Sequence, residues 1–210
     1  MRRFLLISHK VPTDGAFTLN DLAGGAGRMD EVARAVSTAF TLSNDLRRDT
    51  ELTVLFAAEP PPRARRVELA GAKLRHLNPD ERSTAALLKN ALVGASRYPS
   101  DFESSPGLRV GPVDPLAYLA RFLREDGAIW LREGGLPIAS APFHPGSFAA
   151  FVSDPFDPTH DEEAVLARSG ALQVSVGPRS LRTSQVIDAV QREADLRASA
   201  GDEGPPGTRT

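Results

Sequence analysis

Hydrophobic positions along this chain switch between two spacings, and the switches divide it into alternating strands and helices. Phe4-Leu5-Leu6-Ile7 is an unbroken apolar run with the length of a buried strand. Runs of this kind predict strands at Arg3 to Ser8, Glu51 to Ala57, Val67 to Leu69, Lys73 to Leu77, Ala128 to Leu131, Phe148 to Ser153 and Leu172 to Val176. Elsewhere apolar residues return every three or four positions, as in Val32, Val36, Ala39 and Phe40, in Leu116, Leu119 and Leu123, and in Ile187, Val190 and Ala194. That spacing gathers them on one stripe and predicts helices at Met29 to Ser43, Pro79 to Leu92, Pro115 to Glu125, Asp161 to Ser169 and Thr183 to Ala198. The alternation implies an α/β fold, a mostly parallel sheet with helices on its faces.

The segments between these elements carry their own signals. Asn78-Pro79-Asp80-Glu81 reads as a helix start, with Asn78 as the N-cap, Pro79 at the first helical position and Glu81 closing a capping box. Glu59-Pro60-Pro61-Pro62 predicts a stiff surface loop, and the polar, Gly- and Pro-rich stretch from Gly201 to Thr210 predicts a disordered tail. No repeat and no long linker interrupts the rest, so residues 1–200 are expected to form a single domain.

Composition narrows the chemistry. With 210 residues, 41% of them hydrophobic, the chain can bury a core without cross-links. The absence of cysteine excludes disulfides, a thiol nucleophile and thiolate metal ligands, and His9, His76, His144 and His160 lack the spacing of a metal site. No metal is expected. The apolar run behind Arg2-Arg3 is too short for a secretion signal or a membrane span, which predicts a cytoplasmic protein without a membrane partner. A net charge of −2 gives no whole-molecule attraction for nucleic acid, so any RNA contact must be local. Arg2-Arg3, Arg47-Arg48 and Arg63-Ala64-Arg65-Arg66 are the candidate patches, each of which also reads as a salt-bridged surface.

The candidate chemistry lies in the loop after the first strand and at the next helix start, where α/β proteins place ligands. Pro12-Thr13-Asp14-Gly15 and Gly24-Gly25-Ala26-Gly27-Arg28-Met29-Asp30 follow the strand and lead into the helix. Asp14 is a candidate catalytic carboxylate, or only half of an Asp-Gly turn. Asp30 is a second, or only a first-turn acid favoured by the helix dipole. Arg28, in a glycine-rich loop suited to close approach, is a candidate for base or phosphate contact. Lys10 supplies another cation beside it, while His9 at the strand end reads as a hydrogen-bonded structural histidine.

Taken together, these motifs resemble the archaeal-type tRNA pseudouridine N1-methyltransferases of the SPOUT class. The resemblance runs through Ile7-Ser8-His9-Lys10, Leu19-Asn20-Asp21-Leu22-Ala23-Gly24-Gly25-Ala26-Gly27-Arg28-Met29-Asp30 and Leu77-Asn78-Pro79-Asp80-Glu81-Arg82-Ser83-Thr84. It continues in Leu131-Arg132-Glu133-Gly134-Gly135, Phe151-Val152-Ser153-Asp154 and Val174-Ser175-Val176-Gly177-Pro178-Arg179-Ser180-Leu181. Such a resemblance implies a C-terminal trefoil knot, a homodimer, S-adenosylmethionine as cofactor and tRNA as substrate. The cofactor residues it implies are Leu131, Ser153, Asp154, Ser175, Val176, Gly177, Pro178, Leu181 and Val186. RNA contacts fall to Lys10, Arg28, Arg82 and Ser83, and the reaction to Asp14, Asp30 and Arg28.

The C-terminal half departs from the family pattern. Arg132 stands where the family has a histidine, the segment after Phe151 lacks the usual glycine, Arg182-Thr183-Ser184-Gln185-Val186 replaces His-Ala-Asp-His-Cys, and Gln191-Arg192-Glu193-Ala194-Asp195 keeps part of Asn-Glu-Leu-Asp. Three readings follow: N1-methylation of pseudouridine in the tRNA T-arm, methylation of another RNA such as rRNA, and a degenerate SPOUT dimer that binds RNA without methylating it.

Overall fold

A computed structural model of the chain describes residues 1–58, 64–98 and 100–202. The proline-rich loop at Glu59 to Pro62, Arg63 and the tail beyond Asp202 lie outside the described residues. The first strand, β1 (Arg2–Ser8), leads through the long loop into α1 (Met29–Phe40). There follow β2 (Thr50–Phe56), β3 (Arg65–Ala70), α2 (Glu81–Arg97), β4 (Phe102–Ser105), β5 (Leu108–Pro112) and α3 (Pro115–Phe122). The C-terminal part contributes β6 (Ala128–Pro137), a 3-10 turn, β7 (Phe148–Ser153), α4 (His160–Arg168), β8 (Leu172–Ser175) and α5 (Thr183–Asp202).

Among the described residues, eight strands form one sheet in the order β4-β5-β3-β2-β1-β7-β6-β8. β1 pairs in parallel with β2 and β7, and β6 with β7 and β8. β2–β3, β3–β5 and β4–β5 are antiparallel and make a wing on one side. Successive strand side chains point to opposite faces, so the unbroken β1 run feeds two cores. Phe4 and Leu6 pack with Val32, Val36, Ile187 and Val190 of α1 and α5, and Leu5 and Ile7 with Leu119, Phe122 and Leu166 of α3 and α4. Both faces of the parallel strands are covered, which is why β1 shows no polar alternation.

Several boundaries differ from the periodicity. Lys73 to Leu77 is not a strand: the amides of Lys73 and Leu74 both bond the Ala70 carbonyl, and Arg48 caps the Gly71 and Leu74 carbonyls. Leu74 and Leu77 are still buried, which produced the apolar signal. The hairpin of β4 and β5 was not predicted, although Leu108 and Val110 alternate with an exposed Arg109 beside Pro106-Gly107. α1 stops at Phe40, where Leu42-Ser43-Asn44-Asp45 turns back through a bond from the Leu42 amide to the Asp45 carbonyl.

α2 begins at Glu81 rather than Pro79, and its N-cap is Asp80, whose carboxylate accepts from the Ser83 amide 2.8 Å away. The capping box is instead in α4, where Thr159 and Glu162 satisfy each other's amides. α5 continues to Asp202, past the expected helix end and the start of the expected tail.

The N-terminal arginines serve the fold. Arg2 is buried and binds Gln191 at 2.9 Å and Asp195 at 2.5 Å, while Arg47 forks onto Asp195 and Gln191 donates to the Ala39 carbonyl. This network fastens α5 to β1 and α1. Arg3 pairs with Glu125, and Arg66 with Glu68 and Asp101. Arg2, Arg3, Arg47, Arg48 and Arg66 of those clusters are therefore salt-bridged.

A candidate active site at the carboxyl ends of the parallel strands

β1, β7, β6 and β8 point the same way, so the loops that follow them gather at one edge, where a cavity of about 580 Å³ opens. A crevice outside the carboxyl ends of parallel strands is where open α/β sheets bind ligands. One wall comes from β6. Leu131 and Leu136 both pair with Val174, so the residues between them, Arg132 to Gly135, bulge out of the pairing, and Arg132 and Glu133 line the cavity. Gly135 is required for this, because a Cβ there would stand 2.7 Å from the Val174 amide nitrogen.

The other walls are the segments after β7 and β8 and the start of α5. Of the residues expected to hold the cofactor, Leu131, Ser153, Asp154, Ser175, Val176, Gly177, Leu181 and Val186 line the cavity, and Pro178 sits in the same loop without lining it. The Ser175 hydroxyl donates to the Gly177 carbonyl at 2.9 Å and bends the loop inward, while Thr183 Oγ1 donates to the Ser153 carbonyl and ties α5 to the end of β7.

Behind the wall lies a charged clamp. Asp154 Oδ2 accepts from the His9 amide at 2.9 Å, its Oδ1 meets His9 Nδ1 at 3.0 Å and accepts from the Phe156 amide, and His9 Nε2 reaches Glu162 at 2.9 Å. Burial opposes the imidazolium, but two carboxylates in hydrogen-bond contact outweigh it and push the His9 pKa to about 9. Glu162 is also desolvated, yet His9 and the Thr159 amide hold its carboxyl below the usual range. His9 is thus a cationic bridge joining the ends of β1 and β7 to α4.

The folded state therefore binds the His9 proton more tightly than the unfolded chain, whose histidine titrates near 6.5. The clamp's contribution is full below about pH 6.5 and is lost as pH rises through about 9. The unfolding free energy is expected to fall by about 1–2 kcal/mol across that window, after discounting for partial solvent screening. Denaturant titrations at pH 6 and pH 9.5 check this, and in His9→Gln the fall should disappear.

The N-terminal loop meets the cavity through Arg28. Arg28 adopts the left-handed conformation, with φ 70°, at the N-cap of α1, a costly geometry for a non-glycine residue. Its guanidinium is held by Asp30 at 3.0 Å and Glu31 at 2.7 Å. Arg34 grips the same two carboxylates and Glu81. Asp30, buried and forked between Arg28 and Arg34, does not line the cavity, and its carboxyl stays below the ordinary range, burial being outweighed by the two guanidinium groups.

Asp14 is exposed, closes a turn by accepting from the Ala16 amide at 2.8 Å, and does not line the cavity. Gly24 and Gly25 donate their amides to Asp21, so that part of the glycine-rich loop wraps a carboxylate of its own. Lys10 lies with its Nζ 5.4 Å from the centre of the Phe156 ring at the cavity. Arg82 and Ser83 sit apart at the start of α2, where Arg82 bonds the Leu19 carbonyl and Asn20.

Sequence reasoning had not assigned Glu31, Arg132, Arg179 and Arg182 to the site, yet all four line the cavity. Among the described residues no group of three or more side chains is arranged to hold a metal ion, and no helix is long and apolar enough to cross a membrane.

Comparison with known proteins places this geometry. A family model described as "Putative SAM-dependent RNA methyltransferase" matches residues 1–198. The chain belongs to this family. It is 38% identical over 197 residues to the tRNA (pseudouridine(54)-N(1))-methyltransferase of Methanocella arvoryzae, covering 94% of this chain and all of that one. It is 37% identical to the protein of the same name from Methanosarcina mazei, with 99% and 97% covered, and 35% identical to that of Haloferax volcanii, with 93% and 96% covered. Among solved structures, Nep1 of Archaeoglobus fulgidus bound to S-adenosylhomocysteine superposes with a TM-score of 0.63 at 13% identity, over 94% of this chain and 99% of that one, a likeness of fold.

The family's cofactor, S-adenosylmethionine, suits the residues present. The cavity offers an apolar patch of Leu131, Val174 and Val186 for an adenine ring. Around it, Ser153, Ser175 and Thr183 add polar side chains to the cavity wall. Val186 keeps that surface apolar.

Proposed function

We propose that this enzyme methylates N1 of pseudouridine 54 in the T-arm of tRNA. The single observation that carries the reading is that the loops expected to hold the cofactor and the N-terminal Arg28 loop, far apart in sequence, line one cavity at the strand ends. Full-length similarity to relatives bearing that activity's name supports it.

When bound, S-adenosylmethionine supplies an electrophilic methyl group on a sulfonium sulfur. The loops at Leu131, at Ser153-Asp154 and at Ser175 to Pro178 hold it, with Leu181 and Val186 closing the apolar side. The clamp of His9, Asp154 and Glu162 fixes the second of those loops. Because methyl transfer to a ring nitrogen depends on in-line placement, rigid positioning supplies most of the catalysis. Arg28 contacts the target base or its phosphate, and Asp30 orients Arg28 from behind. Asp14 shapes the turn that presents this loop, and Lys10, Arg82 and Ser83 extend the contact along the RNA backbone.

The assembly belonging to this reading is a cytoplasmic homodimer of one domain, residues 1–200, whose C-terminal segment passes through a trefoil knot. Exposed Leu136, Phe156 and Leu181 provide apolar surface for the pairing. The test is methyl transfer to two T-arm stem-loops that differ only in pseudouridine or uridine at the target, with the product nucleoside identified by mass spectrometry. N1-methylpseudouridine from the first and no methylated product from the second is the expected result.

A further inference from the structure

Glu31 occupies the first turn of α1, where an acid is favoured by the helix dipole alone. Its environment asks for more than that. The side chain is 4% exposed, and its Oε1 is approached by Arg28 at 2.7 Å, Arg34 at 2.9 Å and Arg182 at 3.8 Å. Oε2 is shielded from solvent and has no hydrogen-bond partner among the described residues. Burying a carboxylate oxygen without a donor is costly, and this one belongs to a residue that lines the cavity.

The other carboxylates of the cavity do not compete for the role. Asp154 is occupied by His9 and Phe156, while Glu133, Asp157 and Glu163 are exposed. The other buried polar atoms that lack a hydrogen bond belong to Arg3, Arg34, Arg66 and Glu125, outside this cavity, and Glu125 Oε2 and Arg66 Nε are held in ion pairs with Arg3 and Glu68.

We infer that Glu31 Oε2 accepts the hydrogen bond from N1–H of the target pseudouridine and takes that proton as the nitrogen is methylated. The inference rests on the function proposed above and names the group that reads the base. Pseudouridine carries N1–H where uridine has only C5–H, so an acceptor at this point distinguishes the two. In the transfer, N1 bonds to the methyl carbon as that carbon's bond to sulfur breaks with its pair going to sulfur. The N1 proton passes to Oε2, leaving its bonding pair on the ring, and the carboxyl is deprotonated again before the next turnover. The arginines fix Oε1, which leaves Oε2 as the acceptor.

In Glu31→Gln the same arginines hold the amide oxygen, so the amide nitrogen takes the place of Oε2. It presents a donor to a donor. The experiment is fluorescence anisotropy titration, without methyl donor, of a labelled T-arm stem-loop carrying pseudouridine, uridine or N1-methylpseudouridine at the target. The natural protein is expected to bind the pseudouridine RNA about 10- to 100-fold more tightly than the other two, the worth of one hydrogen bond to a charged group. Glu31→Gln should bind all three alike. If it fails to fold, Glu31→Asp, which keeps the charge for the arginines and withdraws the oxygen by one methylene, is read out in the same way and should lose most of the preference.

Equal binding of the three RNAs by the natural protein overturns the inference, as does a folded Glu31 variant that keeps the full preference. If the natural protein nonetheless methylates the pseudouridine RNA, the proposed function stands and only Glu31's role falls. If it methylates neither RNA, both fall.

Discussion

Asp154→Ala is expected to disable the cofactor site and to destabilise the fold together. Asp154 is 4% exposed at its side chain and accepts from the His9 amide, the His9 ring and the Phe156 amide. Removing it leaves the His9 imidazole facing Glu162 alone and frees the segment after β7 that lines the cavity. Breaking a buried ion pair by deleting one partner costs about 3–5 kcal/mol, and the partial exposure of His9, 14% at the side chain, puts the expected loss at the lower end. Chemical denaturation should therefore show unfolding free energy reduced by about 3 kcal/mol. Calorimetric titration at a temperature where the variant stays folded should show S-adenosylhomocysteine affinity lowered by about 100-fold, because the loop must be ordered at the moment of binding. Asp154→Asn, whose single side-chain oxygen keeps an acceptor for one of the two amides but not the charge for His9, should fall between the natural protein and the alanine variant. Unchanged affinity in the alanine variant would mean that this loop does not hold the cofactor.

Gly27→Ala should be nearly as damaging, for a steric reason. Gly27 has φ 63°, and a Cβ built there would stand 2.1 Å from the Lys10 carbonyl oxygen. The left-handed conformation adds about 1 kcal/mol for alanine, and the backbone of Lys10 cannot give way without moving the end of β1. A loss of about 3–4 kcal/mol is expected from overpacking and strain combined. Because Arg28 is the next residue and takes its left-handed turn from the same loop, RNA binding should weaken as well, while cofactor affinity changes less. A thermal melt together with RNA and S-adenosylhomocysteine titrations separates these effects. A variant with the natural melting temperature would show that the loop relaxes freely.

Much of this architecture was legible in the sequence because strong local patterns coincided with tertiary demands. The apolar run of β1 and the stripes on α1 and α5 are buried as their spacing required, and the loops at Ser153 and Ser175 follow parallel strands. What escaped had competing local signals. Leu74 and Leu77 are buried in an irregular segment held by Arg48, so burial mimicked a strand. Gly24 and Gly25 suggested a ligand-binding backbone, but their amides serve Asp21.

The His9 clamp and the place of Glu31 escaped for reasons of distance and of chemical ambiguity. His9 and Glu162 lie 153 residues apart, and no spacing rule links them. Glu31 resembles any first-turn acid until the arginines around it, one of them from the start of α5, leave its second oxygen without a partner. The sequence offered Asp14 and Asp30 as candidate reactive carboxylates, each with a structural reading beside it. Asp14 closes a turn and Asp30 is fully engaged by two arginines, so the one with an open oxygen is the neighbour, Glu31.

Arg182 and Val186, at the start of the last helix, are positions where the sequence departs from the pattern that its resemblance implies. Both line the cavity, and Val186 leaves its wall apolar. The decisive measurement is transfer of labelled methyl from S-adenosylmethionine to a T-arm stem-loop containing pseudouridine at the position corresponding to 54, beside the same RNA with uridine. The account predicts label in N1-methylpseudouridine and none in the uridine RNA. No transfer to the pseudouridine RNA by folded, RNA-binding protein, or equal transfer to both RNAs, would contradict it.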